Sequence, residues 1–158
     1  MTRILLSALC LLISMPAYAG SCYSKAEAEA EQGIRIQNEL MVIGLTCNSL
    51  GKRHGLTPYA DYQKFKVANT SVLEKYNNIM LSHFAKSGGG SPDKQLRTLS
   101  TSFGNKISED AAKLRPDVFC SKYLPRITRA LEMNSNDFRR WASTFYASHP
   151  VTKPMCEG

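Results

Sequence analysis

The chain has 158 residues, 43% of them hydrophobic, with a formal net charge of +7 and a pI near 9.3. That length suits one domain around one hydrophobic core. The basicity is moderate and spread out, which excludes the dense basic run of a nucleic-acid-binding tail and leaves long-range attraction to anionic surfaces as its main consequence.

The first 19 residues read as a secretory signal peptide. Arg3 supplies the positive n-region, residues 4–15 a short apolar run, and Ala17-Tyr18-Ala19 an A-x-A cleavage site. The run is shorter than the ~20 apolar residues that span a bilayer, and no later segment qualifies as a transmembrane span. The expected organisation is therefore a signal peptide over 1–19 and a single helical domain over 20–158. Cleavage would leave a chain of 139 residues that has lost one charge, Arg3, for a net +6. It would also remove Cys10 and leave the even set Cys22, Cys47, Cys120 and Cys156, as expected for two disulfides in an oxidising, periplasmic or extracellular compartment. Ala19-Gly20-Ser21-Cys22 is a poor lipobox, and lipidation of Cys22 would strand one thiol.

Helical periodicity dominates the rest, without an alternating strand or an internal repeat. The first segment, over about 24–50, carries Ala26, Ala30, Ile34, Gln37, Met41, Gly44 and Asn48 at steps of three or four, widened by Leu40, Ile43, Leu45 and Cys47. Its start alternates Lys25, Glu27, Glu29 and Glu31 with alanines and reads as a solvated, helix-favouring stretch. Gly51-Lys52-Arg53-His54-Gly55 ends it in a basic turn.

Thr57-Pro58 is an N-cap followed by proline at the first helical position. Tyr62, Phe65, Val72, Leu73, Tyr76, Ile79, Met80 and Phe84 then describe one long helix, or two broken at Asn69-Thr70-Ser71. Ser87-Gly88-Gly89-Gly90 stops it. Ser91-Pro92-Asp93 opens a third helix with a stripe of Leu96, Leu99, Phe103, Ile107, Ala111 and Leu114, which Pro116 ends. A fourth helix after Asp117 contains Pro125, which must kink or split it. Ser135 or Asn136 caps a short fifth helix carrying Phe138, Trp141, Ala142, Phe145 and Tyr146, and His149-Pro150 with Pro154 imposes an extended tail to Cys156. The sum is an all-α, up-and-down bundle of four to five helices stapled by two disulfides.

Geometry selects the pairing. Cys22 and Cys47 flank one helix, so at ~1.5 Å per residue they stand ~37 Å apart, against a limit of ~7 Å for bridged Cα atoms. Short loops make successive helices antiparallel, which brings Cys120 to the end of Cys47. Cys22 then pairs with Cys156 through the extended tail.

The segment Leu40-Met41-Val42-Ile43-Gly44-Leu45-Thr46-Cys47, the aromatic helix over 62–84 and Phe119-Cys120 together resemble the pattern of a group of small secreted bacterial helical proteins of uncharacterised function. The resemblance implies a helical fold and an exported location, and it carries over no catalytic or binding residue.

No catalytic signature is present. His54, His83 and His149 are isolated, with no H-E-x-x-H, C-x-x-C-H or G-x-S-x-G motif. Met80 and His83 share a helical face, a pairing that soft metals accept, but it stands alone and reads as packing. No metal or other cofactor is expected. Glu109-Asp110 reads as a solvated face, because adjacent helical residues do not converge. The basic features that remain are Lys52, Arg53 and His54 in the glycine-flanked turn, and Arg139 and Arg140 beside Trp141. They are the candidate anion-binding residues. The function expected is a non-enzymatic exported protein binding an envelope protein or an anionic envelope component, with no nucleic-acid partner. The alternative is a small secreted hydrolase whose site assembles in the fold around His83 with Tyr76 or Glu74.

Overall fold

In the computed structural model, residues 22–157 are described; the signal peptide expected over 1–19 lies outside them. Six helices follow in order: α1 (Lys25–Arg53), α2 (Pro58–Ala68), α3 (Thr70–Ser87), α4 (Pro92–Lys113), α5 (Pro116–Leu131) and α6 (Ser135–Ala142). The bundle is all-α, as expected, with six helices in place of four or five. The extra element arises at Asn69, where the second segment breaks. Asn69 is fully buried and its side-chain amide donates to the Phe65 carbonyl at 3.0 Å beside its own backbone amide at 3.1 Å, while the Thr70 hydroxyl donates to the Lys66 and Val67 carbonyls, so side chains share the last carbonyls of α2 with the helical ladder.

α1 is the axis of the molecule, and each of the other five helices packs on it. The contacts give the run of each one. α2 and α3 descend along α1: Pro58 and Tyr62 lie against Gly44, Tyr76 against Gly33, and His83 against Glu27. α4 ascends, with Phe103 beneath Arg35 and Gly104 near Val42. α5 descends from Cys120 at Cys47 to Arg126 at Glu39, and α6 returns Arg139 to Glu29. Among these approaches the one at Gly33 is the tightest: a Cβ there would sit 2.3 Å from the Tyr76 ring, so only glycine lets α3 come this close.

Both disulfides form as geometry required, Cys22–Cys156 and Cys47–Cys120, with Cα separations of 5.0 and 5.6 Å. Cys22 is thus bridged, not stranded. Cys47 and Cys120 are buried, whereas Cys156 is exposed. Two such bridges fit an oxidising, exported environment. Among the described residues no helix is long and apolar enough to cross a membrane.

Local signals account for most helix ends. Ser24 and Glu27 form a reciprocal capping box on α1, and proline opens α2, α4 and α5. The cap of α6 is Asn134 and not Ser135 or Asn136: its side-chain oxygen accepts the amides of Asn136 and Asp137 at 2.8 and 3.1 Å, and the helix stops at Ala142, so Phe145 and Tyr146 lie beyond it and are exposed. α1 runs three residues past Leu50, with His54 as its C-cap and Gly55 taking the positive φ that follows. Pro125 does not split α5, which is continuous across it.

The largest departure from the sequence reading is the start of α1. Lys25 and Ala26 are exposed, but Ala28 and Ala30 are buried, Glu31 is 0% exposed, and Glu27 and Glu29 are half-covered, so the stretch is not solvated beyond its first two residues. Conversely Leu45, expected on the apolar face, is 54% exposed. The cause is topological. A helix surrounded by five others and overlaid by the C-terminal tail has no free face over residues 30–36.

Candidate functional site

Over about two and a half turns α1 carries a buried polar row of Glu31, Gln32, Arg35 and Glu39. Such groups must be partnered, because burying them unpaired is costly. The tail over residues 148–153 supplies partners for the first three, and Arg126 on α5 for Glu39. Gln32 donates to the His149 carbonyl at 2.6 Å, and the Arg35 guanidinium donates to the Pro150 carbonyl at 2.7 Å. Glu31 accepts the Thr152 amide at 2.9 Å together with the Thr152 hydroxyl, and pairs with Arg35 at 3.3 Å. Arg35 also lies over the Phe103 ring, 4.6 Å from its centroid. One atom stays unsatisfied: Arg35 Nε is buried without a hydrogen-bond partner among the described residues.

The row forms one wall of a cleft. Its inner part is a cavity of about 300 Å3 between α1, α5, α6 and the tail. Arg35, Arg126 and Arg129 line it, opposed by a single lining carboxylate, Glu39, which takes a hydrogen bond from Arg126 at 2.7 Å. Gln32, Trp141, Ser148 and His149 complete the inner walls. Arg126 stands 5.8 Å from the Trp141 ring centroid, which helps hold its guanidinium in place. Arg129 makes no ion pair among the described residues and is the cavity's surplus cation. Through Arg129, Trp141, Thr144 and Tyr146 the cavity opens into a shallower groove of about 460 Å3, lined in addition by Glu132, Met133, Asp137 and Arg140.

The candidate residues read from sequence divide between two places. Arg140 lines the outer groove and is paired with Asp137. Arg139, its neighbour, turns to Glu29 at 3.4 Å, on a different face. Lys52, Arg53 and His54 are exposed at the far end of α1, ~35 Å along the helix from Glu29. The two basic features therefore do not meet. Arg35, Arg126 and Arg129 were not singled out, because arginines on separate helices leave no local pattern. The one available signal was Glu31 and Arg35 at i and i+4, a spacing that usually marks an exposed pair.

A second constellation surrounds His83, which is 3% exposed. Its Nδ1 lies 2.9 Å from Glu27 and its Nε2 2.8 Å from the Lys153 ammonium, so in the neutral ring Nε2 accepts from Lys153 and Nδ1–H donates to Glu27. Burial works to raise the Glu27 carboxyl, but the Ser24 amide and hydroxyl and the His83 ring outweigh it and hold it below the usual glutamate range. The Ser87 hydroxyl is 3.2 Å from Nε2, which gives the order serine, histidine, glutamate seen in hydrolases. Lys153 ties this cluster to the tail, and three features distinguish it from a serine nucleophile's site. Lys153 occupies the nitrogen that would take a serine proton; Ser87 also reaches its own helix at the His83 carbonyl, 2.8 Å away. Ser87 moreover ends α3, where the helix dipole is negative and disfavours an oxyanion. Tyr76 and Glu74 are not partners of His83: Tyr76 donates to Glu29 at 2.8 Å, and Glu74 lines a separate groove. Burial, followed by the Glu29 carboxylate, pushes the Tyr76 phenol far up, so it remains a hydrogen-bond donor. Met80, buried one turn before His83, packs in the core. Among the described residues no group of three or more His, Cys, Asp and Glu side chains is placed to hold a metal ion.

Compared with known proteins, the chain matches no family model, no curated protein and no solved structure.

Proposed function

We propose that this is an exported, non-enzymatic binding protein of the bacterial envelope or its surroundings, which holds an anionic group of a partner in the cleft between α1, α5, α6 and the tail. The observation that carries this reading is the inner cavity, where Arg35, Arg126 and Arg129 face one lining carboxylate, Glu39. Even with Glu31 behind Arg35, the balance is positive in a small, partly enclosed space, where charges interact more strongly than in bulk water. Arg129 is available to a ligand without breaking an ion pair, and Arg35 is already oriented by Pro150 and Glu31. The disulfides support the compartment, and kinship with the small secreted bacterial helical proteins belongs to the same reading.

Trp141 is the only tryptophan in the chain and lines the cavity, so its emission reports occupancy directly. Titration with acetate, inorganic phosphate and heparin should give a saturable change with at least one of them, weakened in moving from 10 to about 150 mM salt as screening shortens to ~8 Å. A response that never saturates, or that persists unchanged in Arg126→Gln and Arg129→Gln, would contradict the reading.

A further inference from the structure

We propose that the cleft recognises the carboxyl end of a peptide chain, with the terminal carboxylate in the inner cavity and an apolar side chain in the outer groove. This rests on the reading that the cleft binds an anion, and it specifies which anion.

Charge divides the cleft in two. The inner cavity has three lining arginines against one carboxylate, whereas the outer groove sets Arg129 and Arg140 against Glu132 and Asp137 and is neutral. A polyanion such as a phosphate-rich lipid surface or an acidic glycan needs cations all along its track. The outer groove offers it carboxylates instead. A ligand with a single negative end and an uncharged flank fits both parts. Arginine suits that end, because its planar fork pairs with a carboxylate through two parallel hydrogen bonds.

Size and closure point to a chain end. About 300 Å3 corresponds to roughly ten water volumes at ~30 Å3 each, room for a carboxylate and little more than one residue. On its far side the tail closes the cavity, with the Pro150 carbonyl held on Arg35 and the His149 carbonyl on Gln32. A chain running through would have to displace these bonds; a chain ending there keeps them. The flank is specified by the outer walls. Trp141, Met133 and the 54%-exposed Tyr146 offer apolar and aromatic surface. Thr144, whose hydroxyl donates to the Arg140 carbonyl at 2.9 Å, and the Ser148–His149 pair, joined at 2.9 Å, line the inner part with further lone pairs and N–H or O–H groups that the amides of a peptide can use and a bare hydrocarbon tail cannot.

The experiment uses the disulfide-bonded protein and Trp141 emission. Two N-acetylated tetrapeptides ending in phenylalanine are compared, one as the free acid and one as the C-terminal amide, beside heparin and inorganic phosphate. The free acid should bind saturably and the amide about ten-fold more weakly or worse, the loss expected for one charge-assisted hydrogen bond. Arg129→Gln, at an exposed position that does not threaten folding, should bring the free acid down to the level of the amide, while Lys52→Ala should change neither. Equal binding of acid and amide would overturn the proposal. If heparin or phosphate then still bound through Arg126 and Arg129, the anion-binding function would stand and only the carboxyl-end assignment would fall; if none of the probes bound, both would fall.

Discussion

The two ends of α1 solve the same problem of burial with opposite chemistry. Around Cys47 the helix is covered by apolar contacts: Leu40, Ile43, Phe119 and the Cys47–Cys120 bridge are all fully buried. Around Glu31 the covering element is an extended tail whose carbonyls, amides and hydroxyl groups satisfy a buried polar row, and the bridge that anchors it, Cys22–Cys156, reaches the surface. Apolar packing is non-directional and stabilises whatever shape fills the space. Hydrogen-bonded ionic groups are directional and contribute little net stability. A buried charged row is thus better explained by what it positions, and here it positions Arg35 in a cationic cavity.

The predictions that break this comparison begin with the bridges. Each closes a long loop, worth roughly 2–4 kcal/mol, so full reduction should lower the melting temperature by more than about ten degrees in a chain of this size. Calorimetry with and without reductant checks this, and unchanged melting would mean that the helical core alone suffices. The exposed Cys22–Cys156 bridge should be the first reduced. Alkylation and peptide mapping at low reductant should find Cys156 labelled before Cys47.

Next in size is Glu31→Gln. It removes the fully buried carboxylate that Arg35 and Thr152 share, and should cost about 3 kcal/mol, the penalty for leaving a buried charge short of its partner. Denaturant unfolding measures it. A loss under about 1 kcal/mol would show that the tail alone satisfies Arg35.

Gly33→Ala should cost about 1–3 kcal/mol, since the new methyl group meets the Tyr76 ring and α3 must shift. Gly55→Ala, where no atom lies within 4 Å of the added Cβ, tests backbone conformation alone, as its positive φ is strained for alanine whatever the space.

The smallest effect is one of pH. The folded value of Glu27 lies below its ordinary one, so its contribution to stability is complete above the usual glutamate range and is lost as pH falls through the folded value. Wild type should therefore melt above Glu27→Gln at neutral pH and converge with it on acidification. A difference that does not change with pH would show that the capping box works without ionisation.

The helices and their apolar packing were legible from sequence because their determinants are local or periodic. Thr57-Pro58 and Ser91-Pro92 start helices where their chemistry says they should, the stripe from Leu96 to Leu114 faces inward, and a 29-residue α1 leaves only one workable pairing of four cysteines. The break at Asn69 was visible as a polar cluster, while the cap at Asn134 was misplaced by one or two residues, as helix boundaries commonly are. The polar end was not legible. Glu27, Glu29 and Glu31 have the pattern of a solvated helix start, and nothing in that pattern reveals that residues 148–153 will return to cover it. Arg126 and Arg129 look like ordinary surface residues of α5 until Arg35 and Trp141 are set opposite them. Arg139 and Arg140 drew attention by adjacency, yet only Arg140 reaches the cleft.

Placement of the binding function is tested most directly by mapping amide and arginine side-chain NMR shifts while the free-acid peptide, or acetate, is added to the oxidised protein. Perturbations should concentrate on the Nε–H groups of Arg35, Arg126 and Arg129, the Trp141 indole and the amides of 148–152, with the Lys52-Arg53-His54 turn silent. Shifts confined to that turn, or scattered over the surface without saturating, would contradict the assignment of ligand recognition to the polar end of α1.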